Sequence, residues 1–407
     1  MMNRKIPVTR PYTGTEEISA VKSVLESGWL VQGKKVKEFE QRIAEHEEVK
    51  YCCATTSCTT ALQLAMLAGG MHENMDVLVP SFTFVATANA VISTGATPIL
   101  LDICADTYNL DADQVEKYIR KNYFLKSTEW INKKSGNKLW GIIPVHQFGL
   151  CADMDRISRT AQKYNIKIIE DAACALGAKI ADTHIGNWGI AACVSFHPRK
   201  SITTGEGGMI LTNDETLYHK ALELRNHGSA VASNEREKEG GYLLPEFVSA
   251  GFNYRMTDVQ GAIGCEQIKK LDYILHKRAE IAQIYQELLA GRNAAVKTPH
   301  IPKGYTHTFQ SYVCLLNLHS DIATGQKKRS FIMQELEKSG ISTRQGTHAV
   351  HKLEYYRKRF GYKNNDLPVA DYCDSLSITL PVYVGLSRDE QVWIAKKLLN
   401  LLESVGA

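Results

Sequence analysis

The sequence predicts a two-domain α/β protein: a large, mostly parallel sheet domain followed by a smaller α+β domain. Three observations carry that prediction. The chain has 407 residues, more than one hydrophobic core usually organises. Its first half alternates helix-spaced stretches with short apolar strands that each end in a loop, the rhythm of βα units. From about residue 272 that rhythm gives way to one long helix and scattered strands. We therefore expect a large domain over 1–265, with an N-terminal helical segment, and a small one over 266–407.

Residues 15–26 and 36–45 have helical spacing, and the second places Val36, Phe39 and Ile43 on one stripe. Residues 51–54 read as a strand, followed by a hydroxyl-rich turn over 55–60 and an apolar helix over 61–68. Strands are expected at 76–79, 97–101, 139–145 and 167–170. Two stretches interrupt the pattern, 121–138 and 229–245, and both read as surface insertions or mobile loops. In the second domain a helix is expected over 271–290, with strands near 310–316 and 377–379. The last helix opens on the capping box Ser387-x-x-Glu390 and continues through Trp393, Leu398 and Leu402.

Composition excludes several classes. A hydrophobic fraction of 44% with 23% charged residues belongs to an ordinary globular chain. The formal net charge of +4 is too small and dispersed for a nucleic-acid partner. The basic run at 326–329 reads as a solvated helix face. No window is apolar enough to span a membrane, and no signal-peptide pattern opens the chain. The ten cysteines include no C-x-x-C pair, so we expect reduced thiols in a cytoplasmic protein. No dinucleotide, Walker, zinc-protease or G-x-S-x-G signature occurs, and no metal site is expected.

The most informative stretch is Ile168-Ile169-Glu170-Asp171-Ala172-Ala173, a buried strand ending in two carboxylates where α/β sheets place ligands. Further on comes Val194-Ser195-Phe196-His197-Pro198-Arg199-Lys200, followed by Ser201-Ile202-Thr203-Thr204-Gly205-Glu206-Gly207-Gly208. Taken alone, the Asp is a helix cap and the Lys a solvated loop residue. Together they suit a pyridine cofactor. A lysine that attacks a carbonyl must shed its proton, which a confined loop favours. A carboxylate facing a pyridine nitrogen keeps that ring protonated, strengthening it as an electron sink. The turn over 55–60 offers hydroxyls and free N–H groups for a phosphate, or simply an N-cap from Ser57 or Thr59.

Seven motifs in order along the chain resemble the DegT/DnrJ/EryC1/StrS sugar aminotransferases. They are Thr56-Ser57-Cys58-Thr59-Thr60-Ala61-Leu62, Pro80-Ser81-Phe82-Thr83-Phe84-Val85-Ala86-Thr87, Pro144-Val145-His146-Gln147-Phe148-Gly149, Glu170-Asp171-Ala172-Ala173, Ser195-Phe196-His197-Pro198-Arg199-Lys200, Gly205-Glu206-Gly207-Gly208 and Gly251-Phe252-Asn253-Tyr254-Arg255. The resemblance implies the aspartate-aminotransferase (fold type I) architecture, pyridoxal 5'-phosphate (PLP) as cofactor, and a homodimer with active sites at the subunit interface. It also implies that Lys200 carries the cofactor and shuttles the proton, that Asp171 pairs with the pyridine nitrogen, and that Phe84 stacks on the ring. Ser57, Cys58 and Ser195 would bind the phosphate, with Asn253 reaching in from the partner subunit. Cys174 departs from the family's usual Gln or His beside the cofactor's phenolic oxygen, and a thiol is a weak donor. Cys58 in the phosphate turn is a second departure, harmless if the backbone makes the contact.

The family's substrates are nucleotide-activated keto sugars, with glutamate as amino donor. The S-F-H-x-x-K run with its G-E-G-G turn is of the type found in C4 enzymes, so a 4-keto-6-deoxy sugar nucleotide is expected. A 3-keto sugar or an aminocyclitol ketone is the alternative, ahead of a PLP dehydratase or a non-catalytic protein on the same fold. Candidates for the sugar side are Trp29, His146, His197, Arg225, His227, Arg255, Tyr312, Arg344 and His348.

Overall fold

The computed structural model describes residues 5–229, 246–291, 294–318 and 321–406. The large domain contains strands β1 (Tyr51–Thr55), β2 (Met75–Pro80), β3 (Phe82–Thr83), β4 (Thr97–Leu101), β5 (Tyr123–Lys126), β6 (Glu129–Asn132), β7 (Lys138–Ile142) and β8 (Lys167–Asp171). These are followed by β9 (Lys179–Ile180), β10 (Thr183–His184), β11 (Ala191–Ser195) and β12 (Gly208–Thr212). The central sheet runs β1-β12-β11-β8-β7-β2-β4, with the β5/β6 hairpin on β7. Pairing is parallel from β11 through β8, β7 and β2 to β4, and antiparallel where β12 joins β1 and β11. Parallel strands need both faces covered, which explains their nearly unbroken apolar character. The expected strands are all present.

Helices α1 (Thr15–Ser27), α2 (Lys34–Glu47), α3 (Cys58–Ala68), α4 (Ala86–Ser93), α5 (Ala112–Asn122), α6 (Met154–Tyr164), α7 (Glu215–Arg225) and α8 (Asp258–Ile268) belong to this domain. The predicted stripe of α2 is buried, with Val36, Phe39 and Ile43 at 0% exposure. Phe39 packs on Phe196 at a ring distance of 4.8 Å. Such a side chain contributes about 1.5–3 kcal/mol by leaving water. This contact anchors the N-terminal helices under the strand that leads to Lys200.

Three expectations change. Residues 121–138 are not a free insertion: β5 and β6 form an edge hairpin that joins β7. The reason is Asp76, buried at the start of β2, which accepts hydrogen bonds from Tyr123 (2.8 Å), Asn132 (2.7 Å) and Asn137 (2.9 Å). A buried carboxylate must be paired or hydrogen-bonded, and the hairpin supplies the donors. The basic run is only partly solvated, since Arg329 is buried and donates to the Ser377 carbonyl at 3.3 Å. The helix after the hydroxyl turn begins at Cys58, earlier than expected, because Ser57 and Thr60 close a capping box. The stretch 230–245 lies outside the described residues.

Helix α9 (Leu271–Leu289) links the domains. Its first turns, Leu271 and Ile274, pack in the large-domain core, whereas Ile281, Ala282, Tyr285 and Leu289 pack in the small-domain core. The small domain holds β13 (Val296–Lys297), β15 (Tyr312–Leu316) and β17 (Ser377–Leu380), an antiparallel sheet that shares one core with helices Ile322–Lys338, Pro368–Leu376 and Arg388–Ser404. Between them, β14 (Tyr305–Thr306) extends the β9/β10 hairpin and β16 (His348–Ala349) pairs with β3. The capping box at Ser387 is present, with Ser387 N donating to Glu390 Oε2 at 2.9 Å.

Candidate active site

The site gathers at the carboxyl ends of the central strands, where open α/β sheets bind ligands. Register brings its parts together. Thr55 on β1 and Ser195 on β11 both pair with Gly208, and Cys193 pairs with Asp171. Ser57 and Cys58 follow directly from β1, so the turn, Gly208 and Ser195 share one sheet edge.

Asp171 ends β8 and is 4% exposed. Its Oδ2 accepts from Thr87 Oγ1 at 2.7 Å, and its Oδ1 accepts from the Ala173 N–H at 3.1 Å. Two neutral donors orient the carboxylate without neutralising it. Among the described residues no Lys, Arg or His forms a salt bridge with it. A buried carboxylate left without a cation suits a protonated ring nitrogen.

Lys200 lies in a loop closed by its own ends: Phe196 N donates to Gly207 O at 2.9 Å, and Thr204 N to Phe196 O at 3.0 Å. Thr203 Oγ1 also donates to Phe196 O at 2.8 Å, while Gln267 holds Thr203 N at 3.1 Å. Gln310 of the second domain donates to Arg199 O at 2.7 Å, pinning the loop beside the lysine. The amine of Lys200 stands 3.1 Å from Cys174 Sγ.

At the turn, Ser57 caps α3, its Oγ accepting from Thr60 N at 3.2 Å. The hydroxyl hydrogen can therefore point at an anion, as can N–H groups of the first turn of α3. Cys58 points away: it is buried, with its sulfur 3.4 Å from the Cys193 carbonyl. Burial pushes its thiol well above the usual range, so it adds no negative charge beside a phosphate. A Cβ at Gly208 would lie 2.3 Å from Cys58 N and 2.2 Å from Ser57 C. Only glycine lets that strand pass under the turn. Phe84, between β3 and α4, is 56% exposed, an unpacked aromatic suited to stacking. Ser195 is half-buried at the end of β11, and Asn253 is exposed and bridged to Asn226.

The proposed sugar-side residues divide. His146 is 0% exposed, bonded to Glu170 Oε2 at 3.0 Å and accepting from Ala152 N at 3.0 Å. Tyr312 is 1% exposed in the small-domain core against Tyr285. Arg225 is also buried, held by Glu40 Oε1 and Ala54 O, each at 2.7 Å. These three present no surface to a substrate, because packing and internal partners claim them. Trp29 is 43% exposed, in a loop that Asp258 fastens through Gly33 N at 2.7 Å and Val36 N at 3.0 Å. His348 is exposed opposite Thr83, next to Phe84. His197 is half-buried, and burial lowers its pKa, so the ring is neutral at pH 7. Arg255 donates to Asn226 at 2.7 Å, Arg344 is exposed and backbone-bridged to Thr379, and His227 is exposed at a φ of 61°.

Three residues that matter to this geometry carried no sequence signal by themselves. Thr87 orients Asp171, Gln310 pins the lysine loop and Asp258 holds the Trp29 loop. Thr87 could have been found, since it lies one helical turn after Phe84, as the first turn of α4 requires.

A strand-end carboxylate, a loop lysine and a capped helix N-terminus define the site of a fold type I PLP enzyme. The chain belongs to the DegT/DnrJ/EryC1/StrS aminotransferase family, whose sequence profile matches residues 11–399. It is 34% identical over 388 residues to the spore coat polysaccharide biosynthesis protein SpsC of Bacillus subtilis, covering 95% of each chain. It is also 34% identical over 385 residues to the GDP-perosamine synthase of Caulobacter vibrioides, covering 94% of this chain and 95% of that one. The PLP form of Spr1654 from Streptococcus pneumoniae superposes with a TM-score of 0.86 at 26% identity, over 98% of this chain and 99% of that one. The protein is accordingly a PLP-dependent sugar aminotransferase with the aspartate-aminotransferase fold.

Proposed function

We propose that the protein aminates the C4 ketone of an NDP-4-keto-6-deoxyhexose, with L-glutamate as nitrogen donor. The observation that carries this reading is the loop Ser195–Lys200 with its Gly205–Gly208 turn. Its S-F-H-x-x-K and G-E-G-G sequence pattern is of the type found in C4 enzymes, and it holds the lysine amine 3.1 Å from Cys174 Sγ. Similarity to a GDP-perosamine synthase supports a nucleotide-linked sugar as acceptor. A 3-keto sugar nucleotide is the second reading.

In this account PLP supplies the electron sink for charge that develops on the reacting carbon. Asp171, aimed by Thr87, keeps the ring nitrogen protonated. Phe84 covers one face of the ring. Ser57 Oγ, the Cys58 N–H and Ser195 Oγ hold the phosphate, and Asn253 reaches it in the partner subunit. Lys200 Nζ would carry the cofactor and, once released from it, would hold the proton that moves to or from the substrate carbon within each half-reaction. Cys174, within 3.1 Å of that amine, stands where relatives place Gln or His. The exposed run Trp29, Leu30 and Val31 supports a homodimer, since a patch of this kind invites a partner. Ten free cysteines support a cytoplasmic setting.

The test is a product assay with glutamate and a panel of 4-keto and 3-keto nucleotide sugars. Amination at C4 is expected. Amination confined to a 3-keto substrate would overturn the regiochemical assignment.

A further inference from the structure

Far from the lysine loop in sequence, the C-terminal end of α2 carries a buried carboxylate with an unusual set of neighbours. Glu47 is the last residue of α2 and is 0% exposed. The negative end of a helix dipole disfavours an anion there. No Lys or Arg forms a salt bridge with it among the described residues; its ionic neighbours are two histidines. His46 Nδ1 lies 2.9 Å from Glu47 Oε1, and His184 Nδ1, from the β9/β10 hairpin, lies 3.4 Å from Oε2. One ligand atom from each of the three residues falls within 4.8 Å of the others.

We propose that His46, Glu47 and His184 form a zinc site that ties α2 to the β9/β10 hairpin. Two features favour a metal set, although His46 Nδ1 and Glu47 Oε1, 2.9 Å apart, keep a hydrogen-bond spacing. Ligand atoms ~2.0–2.1 Å from a tetrahedral zinc lie ~3.3–3.4 Å apart, and the Glu47–His184 separation of 3.4 Å matches that spacing better than a strong hydrogen bond. Both imidazoles also turn the same nitrogen, Nδ1, inward and face a carboxylate with the other. His46 Nε2 meets Asp272 Oδ1 at 3.2 Å, and His184 Nε2 lies 3.8 Å from Glu48 Oε1. Carboxylate–histidine–metal chains of this form orient the rings and raise their basicity as ligands. The backbone around the site is fixed independently: Gly177 N donates to Glu47 Oε1 at 2.9 Å, and Asn187 donates to the Glu47 carbonyl at 3.2 Å. Two nitrogens and a carboxylate oxygen leave a fourth position for water, and this donor set selects zinc over calcium or magnesium.

The site spans three elements, since Asp272 lies in the first turn of α9. Its expected effect is to stiffen the N-terminal helices against the large domain. None of its residues belongs to the PLP machinery.

The experiment uses the full-length holoenzyme, stripped with EDTA, dialysed free of chelator and titrated with zinc sulfate against a chromophoric competitor. The wild type is expected to hold one tight zinc ion per chain and to gain thermal stability on binding it. His184→Ala and the milder His46→Gln should each lose that ion while keeping PLP absorbance. Asp272→Ala should weaken binding ~10-fold, because it frees the His46 ring that Asp272 orients. Cobalt in place of zinc should give a visible tetrahedral spectrum that His184→Ala abolishes. Equal zinc retention by wild type and both variants would assign the metal to surface histidines and overturn the proposal. No tight zinc in the wild type would leave a hydrogen-bonded Glu47 with its histidines and overturn it equally.

Discussion

Glu170 and Asp171 are adjacent on β8, and their side chains fall on opposite faces of the strand. On one side Glu170 is 0% exposed and saturated: it accepts from Gly186 N (3.1 Å), Trp188 N and Gly189 N (both 3.2 Å), with His146 at 3.0 Å. On the other side the side chain of Asp171 receives, among the described residues, only Thr87 and the Ala173 N–H. The same chemical group serves as an internal clamp on one face and as an open anion on the other. Burial alone therefore does not mark a functional carboxylate. What marks it is the partner it lacks.

Substitutions on the two faces should separate these roles. Asp171→Asn is expected to cut turnover by ~10²–10³-fold, the scale for losing one preorganised electrostatic group, with the melting midpoint little moved. Steady-state rates alongside thermal melts would show it, and a near-normal rate would break the distinction. Glu170→Gln should do the reverse. It leaves strong donors facing a neutral amide and should destabilise the fold by ~3 kcal/mol in denaturant titrations, with activity per folded molecule retained.

A third prediction concerns pH. Cys52, Cys53, Cys58, Cys151 and Cys193 are buried thiols whose pKa values burial raises. Below pH ~8.5 the folded and unfolded chains hold these protons equally. Above it the unfolded chain releases them first, so stability falls as pH rises, by up to ~1.4 kcal/mol per thiol per pH unit. Chemical denaturation at pH 7.5, 9 and 10 should show that decline. A flat profile would mean the thiols are accessible.

Thr87→Val removes the hydroxyl that aims Asp171 and should cost roughly tenfold in turnover, since a hydrogen bond to a charged group contributes ~1.5–3 kcal/mol. Smallest of all should be Cys58→Ser. The sulfur faces the Cys193 carbonyl, so PLP affinity measured by absorbance titration should stay within about threefold of wild type. A large loss would mean that the side chain itself holds the phosphate.

Much of this was legible in the sequence, and the limits have physical causes. The βα rhythm shows because parallel strands are apolar on both faces, and Asp171 and Lys200 show because they sit in dense, ordered motifs. The β5/β6 hairpin does not, because its exposed positions mix Phe124 and Leu125 with Lys126 and Glu129, with no alternation to read, and the Asp76 that draws it in lies at the start of β2. His146 lies inside a family motif yet is wholly internal, since a motif records which residues occur together and not which face they line. Gln310 and Asp258 act across 111 residues and more than 220, beyond any local pattern. His46, Glu47 and His184 meet across 137 residues for the same reason.

Lys200 is proposed to hold the cofactor opposite Asp171. The most direct test is borohydride reduction of the purified yellow protein, followed by peptide mass mapping. A phosphopyridoxyl group on Lys200 is expected, with a visible band that reduction removes. A modified lysine elsewhere in the chain, or an unmodified Lys200 after the band has been bleached, would contradict it.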